Sequence, residues 1–540
     1  MLFENFKQSI LEYLEFAREL EKQDIDTHKN LSDDEKIEKG FMIKDAVVVE
    51  TIGNNVCKLS VKENYTRWRT GDSIKYVSRD KNIKGTCIVE ENYNESLTLT
   101  GMPHRVGETY DLYLIEGELL SIFISTIRRI ENGGIGSGFI KVFAGMQVPY
   151  KKKNRINRDL VSIPENLNEL QKKAVEDILE YPQIYAIQGP PGTGKSDVLA
   201  IVAKLFSEQG KDVLVLSNTH HAVNNALNKI AKYDLPIYKI GTKLKSKELK
   251  ANIKSIDSKS SKFSLKKNKG QKHGSILGMS LCGVISQNIP FITSFTPSLI
   301  LVDEASQITL AQALAIGALG AGCCVFIGDN FQMPPIFHES IKSNQMSISV
   351  FEKLTEILPS DLKTTLTTTY RMNEPICQYV SEKFYEPHNI KLESFYKHSK
   401  SCIKGETLSG AMEFVTIDTK CCKDFNREEA IYAVKRAFEY KTLGEDVAII
   451  TPFRKQLNLL REEWVKKGGN TGDILIDTVE RLQGQDVDVI IITTSISDEE
   501  YYKTNLLFVE NPNRWNVMIS RAKKKVIVIK SPLITIKPIV

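Results

Sequence analysis

None of the nine cysteines (Cys57, Cys87, Cys282, Cys323, Cys324, Cys377, Cys402, Cys421, Cys422) forms a C-x-x-C pair. An odd, scattered set in a large chain excludes a disulfide framework and a zinc ribbon, and points to reduced thiols. The adjacent pairs Cys323-Cys324 and Cys421-Cys422 are expected as buried small hydrophobes. The first residues, Met1-Leu2-Phe3-Glu4-Asn5-Phe6-Lys7, carry an early acid and no apolar signal region, so the cytoplasm is the expected location. An excess of either charge is also missing. Lys and Arg number 72 against 67 Asp and Glu, for a net charge of +5, and 41% of residues are hydrophobic. These totals exclude a disordered chain and a uniformly basic coat. Ser306–Gly328 runs without charge for the length of a membrane span, yet it holds Gln307, Gln312, Gly317, Gly320 and Gly322. It reads as a buried helix, a glycine turn and a core strand.

What is present is an organised, multidomain chain. At roughly 150 residues per domain the length implies three to four domains. Phe3, Phe6, Ile10, Leu14 and Ala17 recur at helical spacing and predict an amphipathic helix that needs a partner. From Phe41 to Tyr113 the pattern turns to short strands, Ala46-Val49, Cys57-Val61, Ser73-Val77, Gly85-Val89 and Ser96-Thr100, which suggest a small β-barrel. A helical segment, Glu118–Ile130, and a glycine-rich loop or hinge, Asn132–Gly138, follow. After Lys151–Arg158, strands alternate with helical segments. Ile184-Gln188, Val213-Ser217, Leu299-Val302 and Val325-Gly328 form one set, and Val447-Thr451, Ile474-Asp477, Val489-Thr494 and Lys525-Ile529 a second. The expected fold class is therefore α/β, with two tandem parallel-sheet domains. The small net charge hides structure of its own: Gly241–Ser275 carries +9 and Lys151–Arg158 carries +5, which leaves the remainder at −9. Two concentrated basic segments on a mildly acidic body suit phosphate tracking. Gly241–Ser275 reads as a mobile or helical insert outside the sheet core.

The strongest local signal is Gly189-Pro190-Pro191-Gly192-Thr193-Gly194-Lys195-Ser196, placed after an apolar strand and before a helical segment. This is the phosphate-loop pattern G-x-x-x-x-G-K-[ST] in its proper context. The glycines let backbone N–H groups approach a phosphate at a helix N-terminus, Lys195 reaches the β- and γ-oxygens, and the Ser196 hydroxyl ligands Mg²⁺. A second strand, Leu299–Val302, ends in Asp303-Glu304. Asp303 would hold Mg²⁺, and Glu304 would be the base that activates water. A nucleoside triphosphate and Mg²⁺ are therefore the expected ligands, and the family resemblance below makes the nucleotide ATP. His220-His221 has no accompanying metal-ligand spacing.

The order of motifs resembles the superfamily 1 helicases, in particular the 1B branch that includes the RNA helicase of nonsense-mediated decay and the replication nuclease-helicase. Leu301–Gln307 is similar to that branch's motif II, Val325–Pro335 to motif III with Met333 in place of Leu, and Thr369–Asn373 to motif IV. Thr478–Asp486 is similar to motif V and Asn516–Lys523 to motif VI. The resemblance implies two RecA-like domains, 161–340 (1A, with the 1C-like basic insert 241–275) and 341–540 (2A). A helical stalk (1–40), a 1B-like barrel (41–115) and a stalk helix with linker (116–160) would precede them.

It also implies roles. Gln171 would read adenine, Tyr370 would stack on the base, and Gln307 and Gln332 would sense the γ-phosphate. Arg371 and Arg521 would act as arginine fingers from the second domain. Asp486 would bind ribose, although Gly484-Gln485-Asp486 stands where the family has Gly-Arg-Glu. Ser217, Asn218 and Thr219 of motif Ia, with Thr451, Pro452 and Thr478 across the cleft, would grip a polynucleotide backbone. Tyr65-Thr66-Arg67-Trp68-Arg69 reads either as a strand-gripping patch or as barrel core with solvated arginines. The implied activity is ATP-dependent 5′ to 3′ translocation or unwinding on single-stranded nucleic acid, DNA before RNA, by a monomeric motor without a membrane segment. The alternative is a nucleic-acid-stimulated ATPase that remodels or senses nucleic-acid complexes. A third class, a metabolic phosphate-loop kinase, would not need Arg371 and Arg521. The sequence carries no nuclease constellation, so a nuclease or loading factor would be a separate partner.

Overall fold

The computed structural model describes the chain except residues 1, 53–55, 63, 67, 69–71, 80–82, 93–95, 104, 115–118, 152–161, 242–248, 257–271, 287–295, 397–401, 471, 480–485 and 537–540. Arg67, Arg69, most of both basic segments and Gln483–Gln485 thus lie outside the described residues.

The N-terminal helix α1 (Leu2–Lys29) and the short α2 (Asp33–Glu38) lead into β1 (Met42–Ile52), β2 (Val56–Ser60), β3 (Ser73–Ser78), β4 (Lys84–Asn92), β5 (Ser96–Thr100) and β6 (Thr109–Leu114). These six strands form a closed barrel in the order β1-β2-β5-β4-β3-β6. Alternation drives it: Cys57 and Leu59 on β2, and Ile74 and Tyr76 on β3, point inward while their neighbours do not. β6 closes the barrel against β1 and β3, a strand beyond the five that the sequence pattern marks. Trp68 is buried in this core, and Arg67 and Arg69 beside it lie outside the described residues.

Helices α3 (Leu119–Arg128) and α4 (Ser137–Phe143) then dock α1 onto the first sheet through one continuous core containing Ile10, Leu14, Ile127 and Phe139. The glycine-rich stretch before α4 is a pressed turn. Gly136 has φ +86°, and a Cβ there would sit 3.2 Å from the Ala318 Cα.

Helix α5 (Glu169–Leu179) opens the first α/β unit. Its strands are β7 (Ile184–Gln188), β8 (Val213–Ser217), β9 (Ile237–Ile240), β10 (Lys254–Ile256), β11 (Ile276–Ser280), β12 (Leu299–Val302), β13 (Cys323–Gly328) and β14 (Lys363–Thr365). They form one sheet in the order β10-β9-β11-β8-β12-β13-β7-β14, parallel throughout. Helices α6 (Lys195–Glu208) and α7 (His220–Ile230) are two of its crossovers. β10 comes from the Lys-rich segment and pairs at the sheet edge, so part of that segment is strand. β14 follows residue 341 in the chain yet pairs with β7 of this first sheet. The uncharged stretch resolves into a 3₁₀ turn, a buried helix Leu310–Gly317 and β13. No helix among the described residues is long and apolar enough to cross a membrane.

β15 (Thr368–Asn373) and β16 (Glu393–Tyr396) make a parallel pair. The last sheet runs β17-β21-β20-β18-β19, parallel throughout, from β17 (Met412–Thr416), β18 (Val447–Thr451), β19 (Leu475–Thr478), β20 (Val487–Thr493) and β21 (Ala522–Lys530). Its strands are apolar at successive positions because both faces are covered. Ile490, Ile492, Val526 and Val528 face one core, and Val489, Ile491, Ile527 and Ile529 face the other. The two cysteine pairs differ: Cys323 and Cys324 are buried in β13, whereas Cys421 is exposed. Cys421 lies in a turn at φ +61° between β17 and the helix Arg427–Thr442, outside any apolar face.

The accessory helices join the first sheet where the Phe139 ring lies over Gly317, and a Cβ at Gly317 would come 2.6 Å from the Phe139 Cγ. Gly317→Ala should therefore overpack this contact and cost about 1–3 kcal/mol, read as a lower urea midpoint at unchanged slope.

Candidate active site between the two sheets

The phosphate loop leaves β7 and enters α6, with Gly194 at φ +81° as the helix N-cap. Two of its glycines are sterically required. A Cβ at Gly189 would lie 2.2 Å from the Lys195 Cγ, and one at Gly192 would meet the Arg371 Cβ at 2.6 Å. The second contact shows that β15 closes on the loop from the far side. The Tyr370 N–H donates to the Gly192 carbonyl at 2.8 Å. Thr193 Oγ1 donates to the Pro190 carbonyl at 2.8 Å, which tightens the turn. Lys195 is folded over the loop with Nζ donating to the Gly189 carbonyl. Burial lowers its pKa, and Asp329, Glu304 and Asp303 oppose that shift.

Asp303 and Glu304 follow β12 directly. Burial, then the charge of Glu304, pushes the Asp303 carboxyl well above the usual carboxylate range, against the pull of Lys195. Asp303 Oδ1 accepts the Glu304 N–H at 3.0 Å, and Glu304 is held at φ +54°. A non-glycine residue in this left-handed region stores strain that the surrounding packing must hold. The next turn is tied to β8, where Asn218 Nδ2 donates to the Gln307 carbonyl at 2.7 Å.

Two arginines from beyond the first sheet complete the cleft. Arg371 Nη2 meets Asp486 Oδ1 at 3.1 Å and its Nη1 donates to the Ser520 carbonyl at 3.1 Å. Arg521, which ends the helix Pro512–Ser520, is buried, and its pKa is lowered to about 10 by burial and then by Arg371. The Nε atoms of both arginines are buried without a hydrogen-bond partner among the described residues. Desolvated guanidinium N–H groups without acceptors are costly unless an anion joins them. The site therefore fits a polyphosphate with a divalent cation on three grounds. These are the glycine cradle, the orphaned guanidinium nitrogens, and the adjacent acids Asp303 and Glu304 at the end of β12. Asp303 and the Ser196 hydroxyl, at the start of α6, are hard oxygen donors of the kind Mg²⁺ takes.

The structure places the remaining expected residues with varying freedom. Gln171 is 4% exposed, its Nε2 donates to the Thr193 carbonyl at 3.0 Å, and its Oε1 accepts the Asn168 N–H at 3.1 Å. Each end of the amide thus carries one bond and keeps one site for a base. The Tyr370 hydroxyl accepts from Asn168 Nδ2 at 3.0 Å, and its ring packs on Phe395 at 5.0 Å. Asp486 is engaged with Arg371. Gln332 Nε2 donates to Asp329 Oδ2 at 2.7 Å.

Of the residues expected on the polynucleotide, Ser217 is 1% and Thr451 0% exposed, so neither side chain reaches a strand in this conformation. Thr219 is exposed and caps α7, Pro452 lines a small apolar cavity, and Thr478 is half-buried at the end of β19. The sequence pattern assigns no role to Asp329, Gln188, Tyr385, Asn513 or Asn516, which surround the loop after β13. Asp329 and Asn516 stand inside quoted motifs, but nothing in Phe384-Tyr385 separates that tyrosine from core.

Arg521→Met removes a buried cation from the cleft. The nucleotide-free chain should gain about 2 kcal/mol in stability, while the rise in Tm on adding Mg²⁺ and a non-hydrolysable ATP analogue should shrink. Thermal denaturation with and without the analogue measures both.

Two distinct family models, each described as an AAA domain, match over residues 166–376 and over residues 346–532. The DNA replication ATP-dependent helicase/nuclease DNA2 of Xenopus laevis is 27% identical over 529 residues, covering 87% of this chain and 47% of that protein. JHS1 of Arabidopsis thaliana, of the same description, is 26% identical over 391 residues, covering 68% of this chain and 28% of that one. The chain thus spans less than half the length of these relatives. An arterivirus nonstructural protein 10 helicase structure aligns with 91% of this chain and 79% of its own, at 14% identity and a TM-score of 0.41. The motifs in order, the site assembled between two parallel sheets and the likeness to the DNA replication ATP-dependent helicase/nucleases are together consistent with a superfamily 1B helicase.

Proposed function

We propose that the chain is an ATP-driven helicase or translocase that moves 5′ to 3′ along single-stranded nucleic acid, DNA in preference to RNA. The observation that carries this is the convergence of Lys195 from the first sheet's loop with Arg371 and Arg521 from beyond that sheet, around Asp303 and Glu304. A kinase acting on a small molecule has no need of such a shared seat. The relatives' description as DNA replication helicase/nucleases supports the choice of polymer.

In this reading Gly189–Ser196 cradles the phosphates, with the loop's N–H groups and Lys195 on the β- and γ-oxygens. Mg²⁺, when held by Ser196 and Asp303, neutralises phosphate charge. Glu304 takes the proton of the attacking water, Gln307 and Gln332 report the γ-phosphate, and Arg371 and Arg521 offset the charge that develops on it. Gln171, Tyr370 and Asp486 receive the nucleoside. Asn218 and Thr219 on one sheet and Pro452 and Thr478 on the other hold the strand. Ser217 and Thr451 come into play after a change of conformation. The stalked barrel and the Lys-rich segment add phosphate contacts, and the motor acts as a monomer, in the cytoplasm or on the nucleoid.

Glu304→Gln should lower polynucleotide-stimulated kcat by at least about 100-fold while the chain still binds nucleotide. Strand displacement on matched 5′- and 3′-tailed duplexes of DNA and RNA should proceed from the 5′-tailed DNA. Displacement from the 3′ tail alone would reverse the polarity, and ATPase activity with no displacement on any substrate would identify a remodelling or sensing ATPase instead.

A further inference from the structure

The loop after β13 is held by more than its own sheet. The Asp329 carboxylate accepts four hydrogen bonds: from Gln188 Nε2 at 2.7 Å, the Phe331 N–H at 3.2 Å, Gln332 Nε2 at 2.7 Å and the Tyr385 hydroxyl at 2.5 Å. The first three donors belong to the first sheet or to the loop itself, and Gln188 directly precedes Gly189 of the phosphate loop. Tyr385 alone comes from the second core. It closes the π-helical turn Ser381–Tyr385, and π-turns mark positions where a helix is distorted to aim a side chain. Phenylalanine would fill the same space, since the ring packs edge-on against Phe331 at 5.3 Å. The buried hydroxyl is matched to a buried carboxylate, a pairing that core packing does not require.

The same hydroxyl accepts from Asn516 Nδ2 at 2.8 Å, and that amide nitrogen also donates to the Phe331 carbonyl at 2.6 Å. Asn513 Nδ2 donates to the Gln332 carbonyl at 2.7 Å. Both asparagines lie in the helix that ends at Arg521. One cluster thus joins Arg521's helix, the second core, the loop that carries Gln332, and the residue before the phosphate loop.

We propose that Tyr385 is a positioning residue for ATP hydrolysis. Its hydroxyl fixes Asp329, and through Asp329 the Gln332 amide, in the place it must occupy when the second sheet presents Arg521. This deepens the ATPase reading above and rests on it. Tyr385 touches neither substrate nor metal, so its loss should act on turnover and not on nucleotide binding.

The test is steady-state ATPase kinetics of the full chain at saturating single-stranded DNA, with fluorescent ATP-analogue binding and thermal denaturation alongside. Tyr385→Phe should lower kcat about tenfold and leave KM and analogue affinity within about twofold, the size expected from one lost bond to a charged group. Asp329→Asn, which keeps the shape and removes the charged acceptor shared by the Tyr385 hydroxyl and the Gln332 amide, should lower kcat in the same way and stands in if Tyr385→Phe does not fold. Wild-type kcat in a folded variant would overturn the proposal. So would parallel loss of kcat, nucleotide affinity and Tm, the mark of a purely structural role. A wild-type chain without ATPase activity would overturn the ATPase reading itself, an outcome distinct from equality of variant and wild type.

Discussion

The arrangement depends on charge taken out of water. Lys195, Arg371 and Arg521 converge with Asp303, Glu304 and Asp329 in a cleft where several of them are deeply buried. Every shift has burial as its largest cause, so the cleft is poised for an anion and a cation to enter together. Glycine is required at Gly189 and Gly192 because the lysine and arginine chains occupy the space a Cβ would need. Strain at Glu304, at φ +54°, is a further cost that the β12–β13 framework bears.

A seat built from both sides works only if the two sides are in register. That register is set by polar contacts and not by a continuous apolar core: the first sheet's core and the second's are separate clusters. Among the described residues, the contacts that span them include the Tyr370–Gly192 backbone bond, the Asn168–Tyr370 bond, the packing of Phe331 on Tyr385, and the hydrogen bonds of Tyr385, Asn513 and Asn516 to the loop after β13. Directional bonds of this kind can be broken and remade at modest cost, as alternating domain closure requires.

The glycine spacing of 189–196, the acids after β12 and the two α/β sets were legible because phosphate binding and doubly covered parallel strands impose strong local patterns. Weaker elements escaped for physical reasons. β14 is Lys-Thr-Thr, with no periodicity of its own, and exists because β7 offers an open edge. β6 was lost in a Tyr- and Asp-containing stretch whose inward face becomes plain only when the barrel closes. Ser217 and Thr451 carry the right chemistry at strand ends, yet side-chain direction there is fixed by packing and both point inward. Tyr385 is the clearest case: in sequence it is one more aromatic in a helix, and only the fold sets its hydroxyl 2.5 Å from Asp329.

The central claim is that the cleft between the sheets is a single nucleotide site whose phosphate seat depends on Lys195. Calorimetric titration of the intact chain with a non-hydrolysable ATP analogue and Mg²⁺ tests it most directly. One site per chain, with the binding heat lost in a folded Lys195→Ala variant, is the predicted result. A folded wild-type chain that takes up no nucleotide, or binding that Lys195→Ala leaves intact, would contradict it.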